Sequence, residues 1–228
     1  LKQKKFLNKF NKSDVIINCA ASLYPKNKND FFINENFPKI LYDHLNKNNK
    51  KCNFIHISTV NVLIKDRKDK YTNSKRESEK KLLHTKTTII RLPLLVDERI
   101  RKIQNKGNLS LFYKYLNITF LPFYPMISPG HLYQPVSIHN LTNFISKIIL
   151  KKNISRKIYN ISGKKKKTLW DLFEEIAICK NKNFLKINVS ILNIFLPKFI
   201  KEFLKKNNSF LQQLIFIDNT KYNNKFFL

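Results

Sequence analysis

Cysteine is scarce in this 228-residue chain: Cys19, Cys52 and Cys179. Three dispersed thiols cannot form the disulfide framework of a small secreted domain, so a reducing, cytoplasmic setting is expected. The cysteines and the five histidines show no CxxC, HxH or HExxH spacing, which argues against a resident metal. No run of 18 apolar residues occurs; the closest, Ile187 to Ile200, is broken by Asn193, Pro197 and Lys198, so no membrane span is expected. Leu1-Lys-Gln-Lys-Lys lacks the apolar core of a signal peptide, and an initiator Met is missing, Met126 being the sole methionine. Glycine is reduced to Gly107, Gly130 and Gly163.

Acidic residues are few as well, 15 against 44 basic ones, for a formal charge of +29. Such a charge ordinarily points to nucleic acid or an anionic membrane. Its make-up points elsewhere. Only 6 of the 44 are arginine, and Lys, Asn, Ile and Phe together supply 114 residues, half the chain. All four have codons built largely of A and T, so an A+T-rich genome raises them together. The lysines are scattered, with no arginine cluster and no interleaved aromatic motif. A specific nucleic-acid partner is therefore not expected. A basic amphipathic stretch, Asn188 to Lys206, leaves weak association with a membrane surface open.

Hydrophobic residues make up 43%, enough for a sizeable core. Three short apolar runs suit strands buried on both faces: Asp14-Val-Ile-Ile-Asn18, Asn53-Phe-Ile-His-Ile-Ser58 and Thr87-Thr-Ile-Ile-Arg91. Between them lie helical patterns, one over Asp30 to Asn46 and one from Tyr71 to Leu83. Strand and helix alternating at this pitch predict an α/β fold with a parallel sheet. Beyond Pro93 the pattern changes. Leu94 to Pro135 has loop chemistry, then come a strand-like Val136-Ser-Ile-His, a helix to Leu150, a strand at Lys157 to Ile161, and a Thr168-capped helix to about Cys179. The division is residues 1–93 as core and 94–228 as a mixed region, with a returning core strand near 133–150.

The chemistry concentrates in Ser58-Thr59, at the end of the second strand, and in Tyr71-Thr-Asn-Ser-Lys75. In open α/β sheets, ligands bind beyond the carboxyl ends of the strands. Four residues apart, Tyr71 and Lys75 share a helix face. A phenol near pKa ~10 is too weak an acid to serve as a base at neutral pH. An ammonium one turn away favours the phenolate, and a Ser or Thr hydroxyl can hold the oxygen that gains or loses the proton. His56 is expected to be a packed or surface side chain, and Cys19 a small buried one.

In order along the chain, these residues resemble an extended or atypical short-chain dehydrogenase/reductase of the NAD-dependent epimerase/dehydratase family. Asp14-Val-Ile-Ile-Asn-Cys-Ala-Ala21 resembles the family's fourth strand, Phe54 to Thr59 the fifth, and Tyr71-x-x-x-Lys75 with Glu79 the active-site helix. Ile90-Arg-Leu-Pro93 resembles the sixth strand, Tyr133 to Leu141 the return segment, and Ile217-Asp-Asn-Thr-Lys221 the terminal segment. The resemblance implies a partial Rossmann-type doubly wound parallel sheet with a smaller mixed substrate lobe. It implies NAD or NADP as cofactor and a nucleotide-linked sugar as substrate, in an epimerase or reductase; a homodimer is compatible with it. Thr59, Tyr71 and Lys75 take the catalytic positions. Cys19, Ala20, Ala21, Asn34, Ser58, Lys75 and Pro93 take the cofactor side.

The departures are equally specific. The family's G-x-x-G-x-x-G loop has no counterpart, and its first three strands are missing, so the expectation is a fragment of a longer protein. Val60-Asn61 stand where sugar-nucleotide dehydratases carry an acidic pair, which argues against elimination chemistry. The short gap from Thr59 to Tyr71 also resembles the atypical branch related to an accessory subunit of respiratory complex I. That branch implies the alternative of a non-catalytic nucleotide-binding protein.

Overall fold

The structure is a computed structural model and describes residues 2–65, 67–96, 117, 124–126, 132–150, 157–186 and 226–227. The chain divides into a core unit (1–93, 140–162 and 224–228) and a second unit (94–139 and 163–223).

The core unit is built on a parallel sheet. Strands β1 (Val15–Asn18), β2 (Asn53–Thr59), β3 (Thr88–Leu92) and β7 (Ile158–Ser162) lie side by side in that order, and the two-residue β9 (Phe226–Phe227) extends it. Ile17 pairs with Ile55, Ile57 with Ile90, and Ile90 with Tyr159. Parallel neighbours need crossovers. Helices α2 (Lys28–Glu35) and α3 (Phe37–Asn48) join β1 to β2, and α4 (Lys70–Leu82) joins β2 to β3. The inner strands are sealed, with Ile55, Ile90 and Ile161 all at 0% exposure. Leu41 and Leu45 of α3 meet Phe54, Leu82, Ile89 and Leu7, the last from the short helix α1 (Lys2–Asn8). Ile17, on the outermost described strand, is 38% exposed.

The single helix expected over Asp30–Asn46 is in fact two. Pro38 has no N–H for a continuing ladder but suits a first turn, so a new helix starts after Asn36. Asn27 and Asp30 close a capping box at the head of α2.

In the second unit β4 (Leu95–Val96) pairs with β6 (Val136–Ser137), and β5 (Tyr124–Met126) with β8 (Phe184–Lys186), both in parallel. The strand expected to return to the core near 133–150 is thus a partner of Leu95–Val96, and the strand that joins the main sheet is β7. The rest of that stretch is helix α5 (Ile138–Leu150), in which Leu141 and Ile148 are buried. Helix α6 (Leu169–Cys179) opens on a Thr168–Asp171 capping box and buries Leu172, Phe173, Ile176 and Ala177. The expected helix at 188–206 and the segment at 217–221 lie outside the described residues. Among the described residues no helix is long and apolar enough to cross a membrane.

Gly163 makes a close approach in this unit. Its N–H donates to the Gln134 carbonyl at 3.1 Å, and a Cβ there would lie 1.9 Å from the Pro135 carbonyl oxygen. That neighbour is backbone and cannot swing aside. Gly163→Ala is expected to destabilise the protein by about 1–3 kcal/mol, read as a lower urea midpoint at unchanged m-value. An unchanged midpoint would refute the clash.

Candidate active site

Helix α4 begins at a strong cap. The Asp69 carboxylate accepts from the Thr72 N–H (2.9 Å), the Thr72 hydroxyl (2.8 Å) and Arg67 Nε (2.7 Å). Burial alone would raise Asp69; the bonds from Arg67 and Thr72 outweigh it and hold the carboxyl below its usual range. Arg76 fixes the connection from β2 to α4. Its guanidinium donates to the carbonyls of Val62 (3.1 Å), Arg67 (2.5 Å) and Ile64. From the far side, Arg91 of β3 grips Glu79 with Nε at 3.1 Å from both oxygens and Nη2 at 2.6 Å from one. Arg91 Nη1 also reaches Asn160 Oδ1 on β7 at 3.3 Å. Three of the six arginines therefore hold one helix, Arg76 and Arg91 through the planar fork that lysine lacks.

The face so positioned carries Tyr71 and Lys75. Lys75 is 1% exposed, and its Nζ donates to the Ile57 carbonyl at 3.0 Å. Burial lowers it to about 8, against upward pulls from Cys19 and Glu79. Tyr71 is raised, by burial first and then by the Asp69 carboxylate. The expected depression of the phenol by Lys75 is therefore not seen: the ammonium donates to the strand, and burial, followed by the Asp69 carboxylate, sets the direction at Tyr71. At neutral pH Tyr71 is a protonated phenol.

At the end of β2 the Thr59 hydroxyl oxygen accepts from the Asn61 N–H at 3.3 Å, leaving its own proton free to be donated. Ser58 Oγ is buried with no hydrogen-bond partner among the described residues. Val60, also buried, opens the 3-10 turn over 60–63 and carries no titratable group.

The cofactor-side candidates divide into two kinds. Cys19, Ala20 and Ala21 form the exposed turn after β1; Cys19 is thus not the buried residue expected. Its thiol is nonetheless raised by desolvation, with Lys75 pulling the other way. Asn34 is 0% exposed. Its amide accepts from the Ser22 N–H (2.7 Å) and donates to the Ser22 carbonyl (2.8 Å) and Ser74 Oγ (2.9 Å). Through these three bonds Asn34 braces the turn against α4. Pro93 directly follows β3, half-buried. His56, expected to be packed or at the surface, is packed at 0% exposure between Asn18 and Ser78. Sequence reasoning missed the Arg67, Arg76 and Arg91 contacts; the rarity of arginine beside so much lysine was the available signal.

No protein-family model matches the sequence, and no curated protein matches it. Solved structures do resemble it. The dTDP-4-dehydrorhamnose reductase of Bacillus anthracis, in complex with NADP, is 17% identical with a TM-score of 0.62, over 82% of this chain and 69% of that one. The UDP-glucose 4-epimerase of Thermotoga maritima, with UDP-glucose, is 13% identical with a TM-score of 0.63, over 82% and 68%. The dTDP-glucose 4,6-dehydratase of the same Bacillus, in complex with NAD, is 15% identical with a TM-score of 0.62, over 94% and 75%. The chain shares the Rossmann-like α/β fold of these proteins.

Proposed function

We propose that this protein is an NAD(P)-dependent reductase or epimerase of a nucleotide-linked sugar. The observation that carries the reading is Lys75: an ammonium buried to 1% exposure, one turn from Tyr71, at the carboxyl end of a parallel sheet. Neighbours of the same fold are complexed with NADP, NAD and UDP-glucose.

The residues suit the nicotinamide half of such a cofactor. Lys75 has donors beyond the one given to Ile57, the 19–21 turn is exposed, and Ser58 has an unspent hydroxyl. The bound cofactor supplies or accepts a hydride at the sugar carbon. Thr59 donates to the reacting oxygen and orients it. Tyr71, held protonated by burial and Asp69, gives its proton to that oxygen as a carbonyl is reduced. This protonation state favours the reductive direction. Buried Val60, where an acid would be needed, supports reduction or epimerisation over elimination.

Tyr71→Phe in the full chain is expected to lower turnover of a dTDP- or UDP-linked 4-keto sugar by about 10²–10⁴-fold, while NADPH affinity, read by fluorescence titration, stays unchanged. Unaltered turnover in Tyr71→Phe would remove Tyr71 from the chemistry. The second reading, a non-catalytic nucleotide-binding protein, is favoured by the short gap from Thr59 to Tyr71, which resembles the atypical branch. Cofactor binding with no turnover in the wild type would select it, and the absence of both would defeat both readings.

A further inference from the structure

A polar chain crosses the sheet beneath the 19–22 turn. The Ala20 N–H donates to Asn18 Oδ1 at 3.2 Å. A backbone N–H can only donate, so it fixes which end of the Asn18 amide is oxygen. Asn18 Nδ2 then faces His56 Nδ1 at 3.2 Å. An amide NH₂ can only donate, so Nδ1 must accept and the imidazole proton must sit on Nε2. Nε2 lies 3.2 Å from Ser78 Oγ, to which it donates. His56 is fully buried, and its neighbour across β3 is the apolar Ile89. Its nearby groups on β1 and α4, Asn18 and Ser78, are neutral; the charge that acts on it is the Lys75 ammonium. Burial first, and Lys75 second, hold the imidazole well below its ordinary pKa.

The chain ends on both structures that the proposed chemistry needs. At one end is the exposed turn Cys19-Ala20-Ala21; at the other is α4, at Ser78. The second tie, through Asn34, reaches α4 at Ser74. Ser74 and Ser78 flank Lys75 in sequence on that helix. We propose that His56 is a positioning residue: as a neutral, Nε2-protonated imidazole it couples the 19–22 turn to α4 and so sets that turn relative to Lys75. Its purpose rests on the nicotinamide-site reading above, whereas its geometry does not.

The test uses the full chain with Cys52→Ser, so that Cys19 reports on the turn and Cys179, in the second unit, is an internal control. In ¹⁵N-imidazole spectra the His56 proton is expected on Nε2. Asn18→Asp still accepts from Ala20 but cannot donate to Nδ1, so it should move the proton to Nδ1. Ser78→Ala keeps His56 and removes the other end. Ser78→Ala is expected to change the N-ethylmaleimide rate of Cys19 by about fivefold, the scale of one buried hydrogen bond, with Cys179 unmoved. A wild-type proton on Nδ1, an unmoved Cys19 rate, or both thiols moving together as in general loosening, would each overturn the proposal. NADPH titration of the same samples separates the two ideas. A relay that behaves as stated in a protein that binds no NADPH would defeat the cofactor reading alone.

Discussion

Arg91→Ala is expected to destabilise the protein by about 3–5 kcal/mol, the range seen when one partner of a buried ion pair is removed. Arg91 and Glu79 are 16% and 7% exposed, and their three contacts join α4 to β3. Removing the guanidinium leaves a carboxylate without its counter-charge under α4, and frees Asn160 on β7. Arg91→Lys keeps the charge but loses the fork and should fall between the two. Urea denaturation at pH 7 checks the series. A loss below about 1 kcal/mol would place the pair among surface bridges of little weight.

Lys75→Met is expected to act in the opposite direction. A buried lysine at about 8, against an ordinary 10.5, makes the fold disfavour its own ammonium. The displacement corresponds to about 3 kcal/mol below pH 8. Against this stands the hydrogen bond to Ile57, about 1 kcal/mol, so the variant should gain about 2 kcal/mol at pH 7. The sign follows from proton counting. Between pH 8 and 10.5 the unfolded chain holds more protons at this position than the native one, so wild-type stability rises with pH across that window. Lys75→Met should lose that rise and, under the proposed function, all turnover. A destabilised variant, or a pH slope that persists without the lysine, would contradict the assigned environment. A stabilising change that removes activity is what a buried functional charge predicts.

These two residues also mark what was readable from sequence. The strands were legible because Val15-Ile-Ile, Phe54-Ile-His-Ile and Thr88-Ile-Ile are short apolar runs; the second and third are buried in the sheet, while the first lies at its edge with Ile17 exposed. Helix α4 was legible because Tyr71 and Lys75 repeat at one turn after a strand ending in hydroxyls. The break at Asn36 was available in Pro38 but was overridden by the apolar period across it. Asn34 was picked out because its position matched a pattern, and its three bonds to Ser22 and Ser74 could not be read from that pattern. The bonds of Asn18 to His56 and of Asn34 to Ser74 span 38 and 40 residues. No local period encodes such pairings. The direction of the Tyr71 shift was misread for a similar reason: spacing placed Lys75 nearby, but not the Ile57 carbonyl that draws its ammonium away.

The outer strand has a physical consequence of its own. The Asn53 N–H donates to the Asp14 carbonyl at 2.8 Å, so by the alternation of a parallel ladder Val15 and Ile17 turn their amides away from β2. Among the described residues β1 is the edge strand, and an apolar edge is a template for any further strand, from elsewhere in the protein or from another copy of the molecule. This protein carries that edge on a body of formal charge +29. Mutual repulsion among such polycations is a colloidal barrier to edge-on encounter. The lysine excess, attributed above to codon bias, thereby opposes edge-on association, and the strength of that barrier is set by the salt around it.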